Sequence, residues 1–299
     1  MPSSTPTPGG TAEVAGRTVA RVGYGAMQLE RLHDDRAAGR AVLRRALELG
    51  VDHIDTAEFY GVANELIRDA VGDGVLVASK VGATPNADGP LPLRLAQRPE
   101  ELRADVEANL SSLGLEQIAL VNLRRADRGP GLIAEGDQRV DLDDQLATMI
   151  ALRDEGKIGS LGISNVGLDE LLRALPAGIT CVQNAYSLLS RGDEELLRLC
   201  RAEGLAWVPY FPLGGPFAGM PKVTEEPAVL DAARALDATP AQIGLAWLLQ
   251  HEPNVLLIPG TATLSHLEEN VAAGSIVLDE QTVAALDAIP SRSGDIVVD

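Results

Sequence analysis

The sequence predicts an α/β protein of the (β/α)8 barrel class, entered through a short N-terminal β-hairpin. Three observations predict it. Eight short apolar runs recur along the chain, separated by amphipathic segments. The runs are rich in β-branched residues and bounded by turn residues, as buried parallel strands are. A length of 299 residues suits one such barrel and buries a large core.

The elements follow in order. Residues 1–10, "MPSSTPTPGG", are polar and rich in Pro and Gly, and read as a flexible tail without the apolar stretch of a signal peptide. Residues 11–299 then form a single domain. "TAEVAGRTVARVG" reads as a hairpin plugging the bottom of the barrel. The strand runs are "VGYGAM", "VDHID", "VLVASK", "IALVNL", "IGSLGIS", "TCVQNA", "LAWVPY" and "VLLIPG". Between them lie helices such as "RAAGRAVLRRALELG", "NELIRDAV", "PEELRADVEANLSSLG", "LDDQLATMIALRDEG", "GLDELLRAL", "GDEELLRLCRAEG" and "TPAQIGLAWLLQHE". Several start at Asp, Thr or Pro and stop at Gly, which are capping choices. An open doubly wound sheet is the competing fold. It usually carries G-x-G-x-x-G after its first strand, and "GYGAMQ" lacks the third glycine. "TPNADGPLPLRLAQR", after the third run, lies over the barrel mouth. "RRADRGPGLIAEGDQRV", after the fourth, reads equally as a pocket-shaping loop or as disorder.

A formal net charge of −18 argues against nucleic-acid and anionic-membrane partners, which call for basic patches. No apolar run reaches membrane-spanning length. Cys181 and Cys200 show no metal or redox spacing and read as buried thiols in a reducing cytoplasm. Four scattered histidines do not suggest zinc.

In a barrel the chemistry collects where strands end. Asp55 and Tyr60 follow the second run and Lys80 closes the third. Arg124 ends the fourth, Ser164 and Asn165 the fifth, Gln183 and Asn184 the sixth, Tyr210 the seventh, and Gly260 and Thr261 the eighth. A phenol is a weak acid near neutrality, with a reference pKa of about 10. A buried ammonium beside it favours the phenolate, and a carboxylate keeps that ammonium charged. Tyr60, Lys80 and Asp55 thus make a proton-donor relay. Singly, each also reads as structural: a cap, a rim aromatic and a solvated amine.

"GVDHIDTAEFYG", "VLVASKVG", "GKIGSLGISNV", "CVQNAYSLL", "YFPLGG" and "IPGTATLSHLEENV" together resemble, in order, the aldo-keto reductase family. The resemblance implies a TIM barrel and a nicotinamide cofactor, usually NADPH/NADP+, that transfers hydride directly to an aldehyde or ketone. It implies that Asp55, Tyr60 and Lys80 occupy three of the family's four catalytic positions. Ser164, Asn165 and Gln183 match the groups holding the nicotinamide amide, and Tyr210 matches the aromatic stacked on its ring. Phe211, Leu213 and Gly214 match the pyrophosphate loop. Gly260, Thr261, His266, Glu269 and Asn270 match the adenosine segment. Gly25, Ala26 and Met27 match the loop near the nicotinamide ribose.

Two features depart from that pattern. The fourth catalytic position, usually histidine, is Arg124. Alternation along the strand aims Asn122 and Arg124 together into the barrel; the other reading pairs Arg124 on the surface with Arg125 or a nearby acid. Arginine stays charged and cannot shuttle protons, but it can polarise a carbonyl or grip an anionic substituent. "VNLR" with "YFPLGG" resembles the bacterial subgroup that includes pyridoxal reductases, which makes pyridoxal a substrate to expect. The second departure is Gly260 and His266, where NADPH-preferring members often carry Lys and Arg. A phosphate would then rest on Thr261, His266 and a helix N-terminus, and NADH use is allowed. The resemblance leaves two other activities open: a catalytically weak, cofactor-binding regulatory member, and a dehydrogenase oxidising an alcohol or sugar.

Overall fold

A computed structural model of the chain describes residues 7–86, 89, 91, 93–129, 131–215 and 221–292. Seven parallel strands form one curved sheet in the order β11 (Ala206–Trp207), β10 (Ile179–Gln183), β9 (Ile158–Ser164), β8 (Ile118–Arg124), β5 (Leu76–Val81), β4 (His53–Asp55) and β3 (Tyr24–Gly25). The eighth run, "VLLIPG", closes the ring. Val255 bridges Trp207 on one side and Leu257 bridges Val22 on the other, both in parallel. Leu256 N–H donates to Trp207 O and Gly23 N–H to Leu257 O, each at 2.8 Å. The fold is the (β/α)8 barrel that the run pattern predicts.

β1 (Thr11–Val14) and β2 (Arg17–Ala20) pair antiparallel as the expected hairpin. Val14 and Val19 pack against Leu76, Leu120 and Leu256, so the hairpin seals the bottom of the interior. A far larger apolar layer lies between the strands and the surrounding helices. The tail expected through residue 10 is anchored from Pro8 onward, because Pro8 O and Gly10 O accept from Val22 N–H and Arg21 N–H. Residues 1–6 lie outside the described residues.

The helices are α1 (Arg36–Glu48), α2 (Ala63–Ala70), α3 (Pro99–Leu113), α4 (Leu142–Asp154), α5 (Leu168–Ala174), α6 (Glu194–Ala202), α7 (Pro227–Ala235), α8 (Pro240–His251), α9 (Leu264–Ala272) and α10 (Glu280–Asp287). α3 stops at Gly114 in the left-handed conformation, a cap that glycine adopts without strain. The C-terminal end of α8 is held by Arg21, whose guanidinium donates to Leu249 O and Glu252 O at 2.7 Å and to Val255 O at 3.1 Å. One cation thus satisfies carbonyls that a helix end leaves open and fastens them to the first strand.

Two features depart from the sequence expectation. The first run is a strand only at Tyr24–Gly25, and a 3-10 turn begins at Ala26. The segment after the third strand carries a second hairpin, β6 (Ala83–Pro85) with β7 (Leu93–Leu95). Prolines at 85, 90 and 92 interrupt the alternation that would have signalled it.

Candidate active site

The ends of β4, β5 and β10 bring three polar side chains together. Lys80 Nζ donates to Asp55 Oδ1 at 2.5 Å and to Thr56 O at 3.0 Å. Gln183 Nε2 donates to the other carboxylate oxygen of Asp55 at 2.9 Å. Asp55 is 4 % exposed and Lys80 7 %. The ammonium also sits 5.0 Å from the centroid of the Tyr60 ring. Burial acts to lower the Lys80 pKa, but Asp55 and the Tyr60 oxygen outweigh it, and the ammonium is held above its ordinary range. The structure thus sets carboxylate, ammonium and phenol side by side.

The loop carrying Tyr60 is fixed from behind by a buried polar net. Thr56 Oγ1 donates to Asn64 Oδ1 at 2.7 Å, and Asn64 Nδ2 donates to Glu58 Oε2 at 2.9 Å and to Asn109 Oδ1 at 3.2 Å. Sequence reasoning missed Glu58, Asn64 and Asn109. Their signal is weak, since each reads singly as an ordinary polar residue of a loop or helix face.

Arg124 closes β8, in register with Ser164 of β9. Two residues before it, Asn122 accepts from Cys181 Sγ inside the barrel, so alternation turns Arg124 toward the mouth. The surface-pair reading falls to its neighbour. Arg125 is buried and takes Asp127 at 2.5 Å and Glu170 at 3.2 Å. Among the described residues, no carboxylate pairs with the Arg124 guanidinium.

The segment after β8 is tied back to the barrel and carries a short 3-10 turn at Gly136–Gln138. Asn165, at φ 61°, donates from its side chain to Arg125 O at 3.1 Å and Arg128 O at 2.6 Å. Its Oδ1 accepts from the Tyr210 hydroxyl at 3.2 Å. The Asn165 side chain thus ties the segment after β8 to Tyr210, and its Oδ1, which accepts once here, keeps a second lone pair. Burial pushes the Tyr210 hydroxyl up to about 12, while Arg124 and Arg128 pull it down. Ser164 is buried beside Gln183, its register partner. Gln183 Oε1 is buried and has no hydrogen-bond partner among the described residues.

Along the seam between the first and eighth strands the backbones approach closely. A Cβ on Gly25 would lie 2.5 Å from Ile258 O, and one on Gly260 would lie 2.6 Å from Gly25 O. Only glycine fits at either place. Tyr24 OH donates to Thr261 O at 2.6 Å across the same seam. Beyond it opens a cleft of about 290 Å³. Gly260, Thr261, His266, Glu269 and Asn270 line it, together with Thr224, Thr239, Pro240 and Ala241, which sequence reasoning did not assign. The first turn of α9 borders this cleft, and its N-cap, Thr263, makes no side-chain cap. Ala26 and Met27 lie on the 3-10 turn after Gly25. Phe211 takes φ 55° and Gly214 φ 98° in the loop after the seventh strand, where Leu213 packs on the core.

Asp105 of α3 lies at the end of β5, accepting from Gly82 N–H at 3.3 Å. Burial raises its pKa from 3.8 to about 6, against the pull of Gly82 N–H and the Thr84 hydroxyl. The folded value exceeds the unfolded one, so the native state binds the proton more tightly. Stability therefore falls as pH rises from about 4 to about 6. Asp105→Asn keeps an acceptor and removes the charge. It is expected to stabilise the protein by about 1–2 kcal/mol at pH 7, with the gain vanishing toward pH 4. Thermal denaturation at the two pH values checks this.

A sequence model described as the Aldo/keto reductase family matches residues 21–290. Pyridoxine 4-dehydrogenase of Escherichia coli (strain K12) is 40% identical over 285 residues, spanning 91% of this chain and 96% of that protein. An uncharacterized oxidoreductase of Schizosaccharomyces pombe is 35% identical over 291 residues, covering 93% and 89%. The crystal structure of an aldo-keto reductase from Klebsiella pneumoniae in complex with NADPH superposes with a TM-score of 0.79 at 27% identity, covering 97% of this chain and 99% of that one.

Proposed function

Because this chain belongs to the aldo/keto reductase family, we propose that it reduces an aldehyde to an alcohol with NADPH, and that Tyr60 delivers the proton. The observation that carries the reading is the buried Asp55–Lys80 pair set against the Tyr60 ring.

The residues fit a nicotinamide dinucleotide. Gln183 Oε1 is a buried acceptor without a donor among the described residues, and a carboxamide N–H would satisfy it. Ser164 lies beside it. Thr261, His266 and the uncapped first turn of α9 offer donors to a phosphate in the adjoining cleft. Among the described residues no Lys or Arg lines that cleft, which leaves room for NADH. When bound, the reduced nicotinamide supplies the hydride that becomes the new C–H bond.

The protein supplies the rest. Tyr60 gives its phenolic proton to the carbonyl oxygen, completing the alcohol. The Lys80 ammonium stabilises the phenolate left behind, and Asp55 keeps that ammonium charged and in place. Solvent restores the proton. Arg124 binds an anionic substituent of the substrate and orients the carbonyl toward Tyr60. Pyridoxal suits this arrangement, since its ring hydroxyl ionises easily and stands beside the aldehyde. The same residues serve the reverse reaction, with the Tyr60 phenolate accepting the proton of an alcohol. That direction is favoured by the dehydrogenase activity named for the Escherichia coli relative.

The test follows NADPH oxidation with pyridoxal and with aldehydes that lack an acidic group. Turnover of pyridoxal is expected, and Arg124→Ala is expected to raise its KM by about tenfold or more through loss of a charge-assisted contact. NADPH binding without turnover of any aldehyde would overturn the enzymatic reading. An unchanged pyridoxal KM in Arg124→Ala would overturn the role of Arg124.

A further inference from the structure

Gln97 lies between β7 and α3 and is 2 % exposed. Its side-chain N–H groups reach Gly82 O at 2.6 Å and Arg124 O at 3.0 Å. These carbonyls stand just past Val81 and Leu123, the last paired residues of β5 and β8. The ladder ends there, and one carboxamide spans the gap with both of its donors. The opposite orientation would set an oxygen against two carbonyl oxygens, so the chemistry fixes the amide.

The clasp is itself held. Gln145, 0 % exposed, donates to Gln97 O at 2.7 Å and Gln97 Oε1 at 3.1 Å. Gln145 Oε1 accepts from the Arg125 guanidinium. Gln97 N–H donates to Gln138 Oε1 at 2.8 Å. Gly82 makes room. It takes φ +105°, and a Cβ there would lie 2.5 Å from Arg124 O and 2.7 Å from Gln97 Nε2. A fully satisfied buried network of this kind specifies one local geometry.

Its location gives it meaning. Gly82 is two residues past Lys80, and the other carbonyl belongs to Arg124. With no carboxylate to hold the Arg124 guanidinium among the described residues, the backbone is what aims it. We infer that Gln97 is a positioning residue for substrate: by clasping the Gly82 and Arg124 carbonyls it aims the Arg124 guanidinium at the anionic group of the bound carbonyl compound. This rests on the reading of Arg124 as the substrate-orienting cation.

Gln97→Met removes the donors and keeps the length of the side chain. It is expected to raise the KM for pyridoxal and the Kd for pyridoxine by about tenfold, with only about a twofold change for benzaldehyde. In an Arg124→Ala background the same substitution should add no more than about twofold, because the two act as one unit. NADPH affinity, read by fluorescence, reports that each variant is folded. Gln97→Glu is the second variant and decides the matter if Gln97→Met does not fold. Its defect should ease as pH falls, since protonation returns one donor. Equal losses for pyridoxal and benzaldehyde, or a full tenfold loss on top of Arg124→Ala, would overturn the inference alone. An Arg124→Ala protein with unaltered pyridoxal KM would overturn the role of Arg124 and the inference with it.

Discussion

Tyr60→Phe is expected to lower turnover by about 10²- to 10⁴-fold, the usual worth of a positioned proton donor. The substitution removes one oxygen and leaves the ring. The edge-to-face contact with Phe59, at 5.0 Å between centroids, is preserved. So is the polar net behind the loop, which uses Thr56, Glu58, Asn64 and Asn109 rather than the phenol. NADPH affinity should therefore stay near the wild-type value while kcat collapses. Rapid-mixing kinetics with pyridoxal and an isotopically labelled cofactor separates the chemical step from release. A variant that keeps wild-type turnover would remove Tyr60 from the chemistry.

Lys80→Met carries the second large effect, on two readouts. Turnover should fall by about 10²-fold or more, since nothing then stabilises the phenolate. Stability should fall by about 3–5 kcal/mol, because Asp55 is left buried without its partner. The two losses come apart in the double variant Asp55→Asn/Lys80→Met. Replacing both charges recovers much of the stability and none of the activity. The sign with pH is also fixed. The folded Lys80 value lies above the ordinary 10.5, so its stabilising share is fully present below about 10.5 and is lost only as pH rises through the folded value. Chemical denaturation near neutrality reads the mutational effect without that titration. A Lys80→Met protein as stable and as active as wild type would end the account of the buried pair.

Much of this was legible in the residues. Asp55, Lys80 and Gln183 each close an apolar run, and period-two alternation is enough to aim them inward. Gly260, Thr261, His266, Glu269 and Asn270 fall within one contiguous stretch, and all five line one cleft. What escaped has physical reasons. Gln97 and Gln145 meet across the fold, and glutamine carries no periodic signal of its own. The β6–β7 hairpin is broken by prolines. The eighth strand reads clearly as an apolar run, yet it pairs through isolated bridges that no pattern announces. Asn165 shows the remaining difficulty: its position at a strand end did not reveal that its side-chain donors fasten the loop after β8.

Beside that fastened loop Arg125 is neutralised, and Arg124 has no paired carboxylate among the described residues, in a molecule of net charge −18. Two fields of opposite sign thus act on any anionic visitor. At long range the acidic envelope repels it, over distances that ionic screening of about 8 Å at physiological strength cuts short. At contact the Arg124 guanidinium, in the role proposed above, attracts it over a distance shorter than that screening length. On the proposed role of Arg124, capture of anions by this barrel is governed by how long they stay and not by how fast they are drawn in.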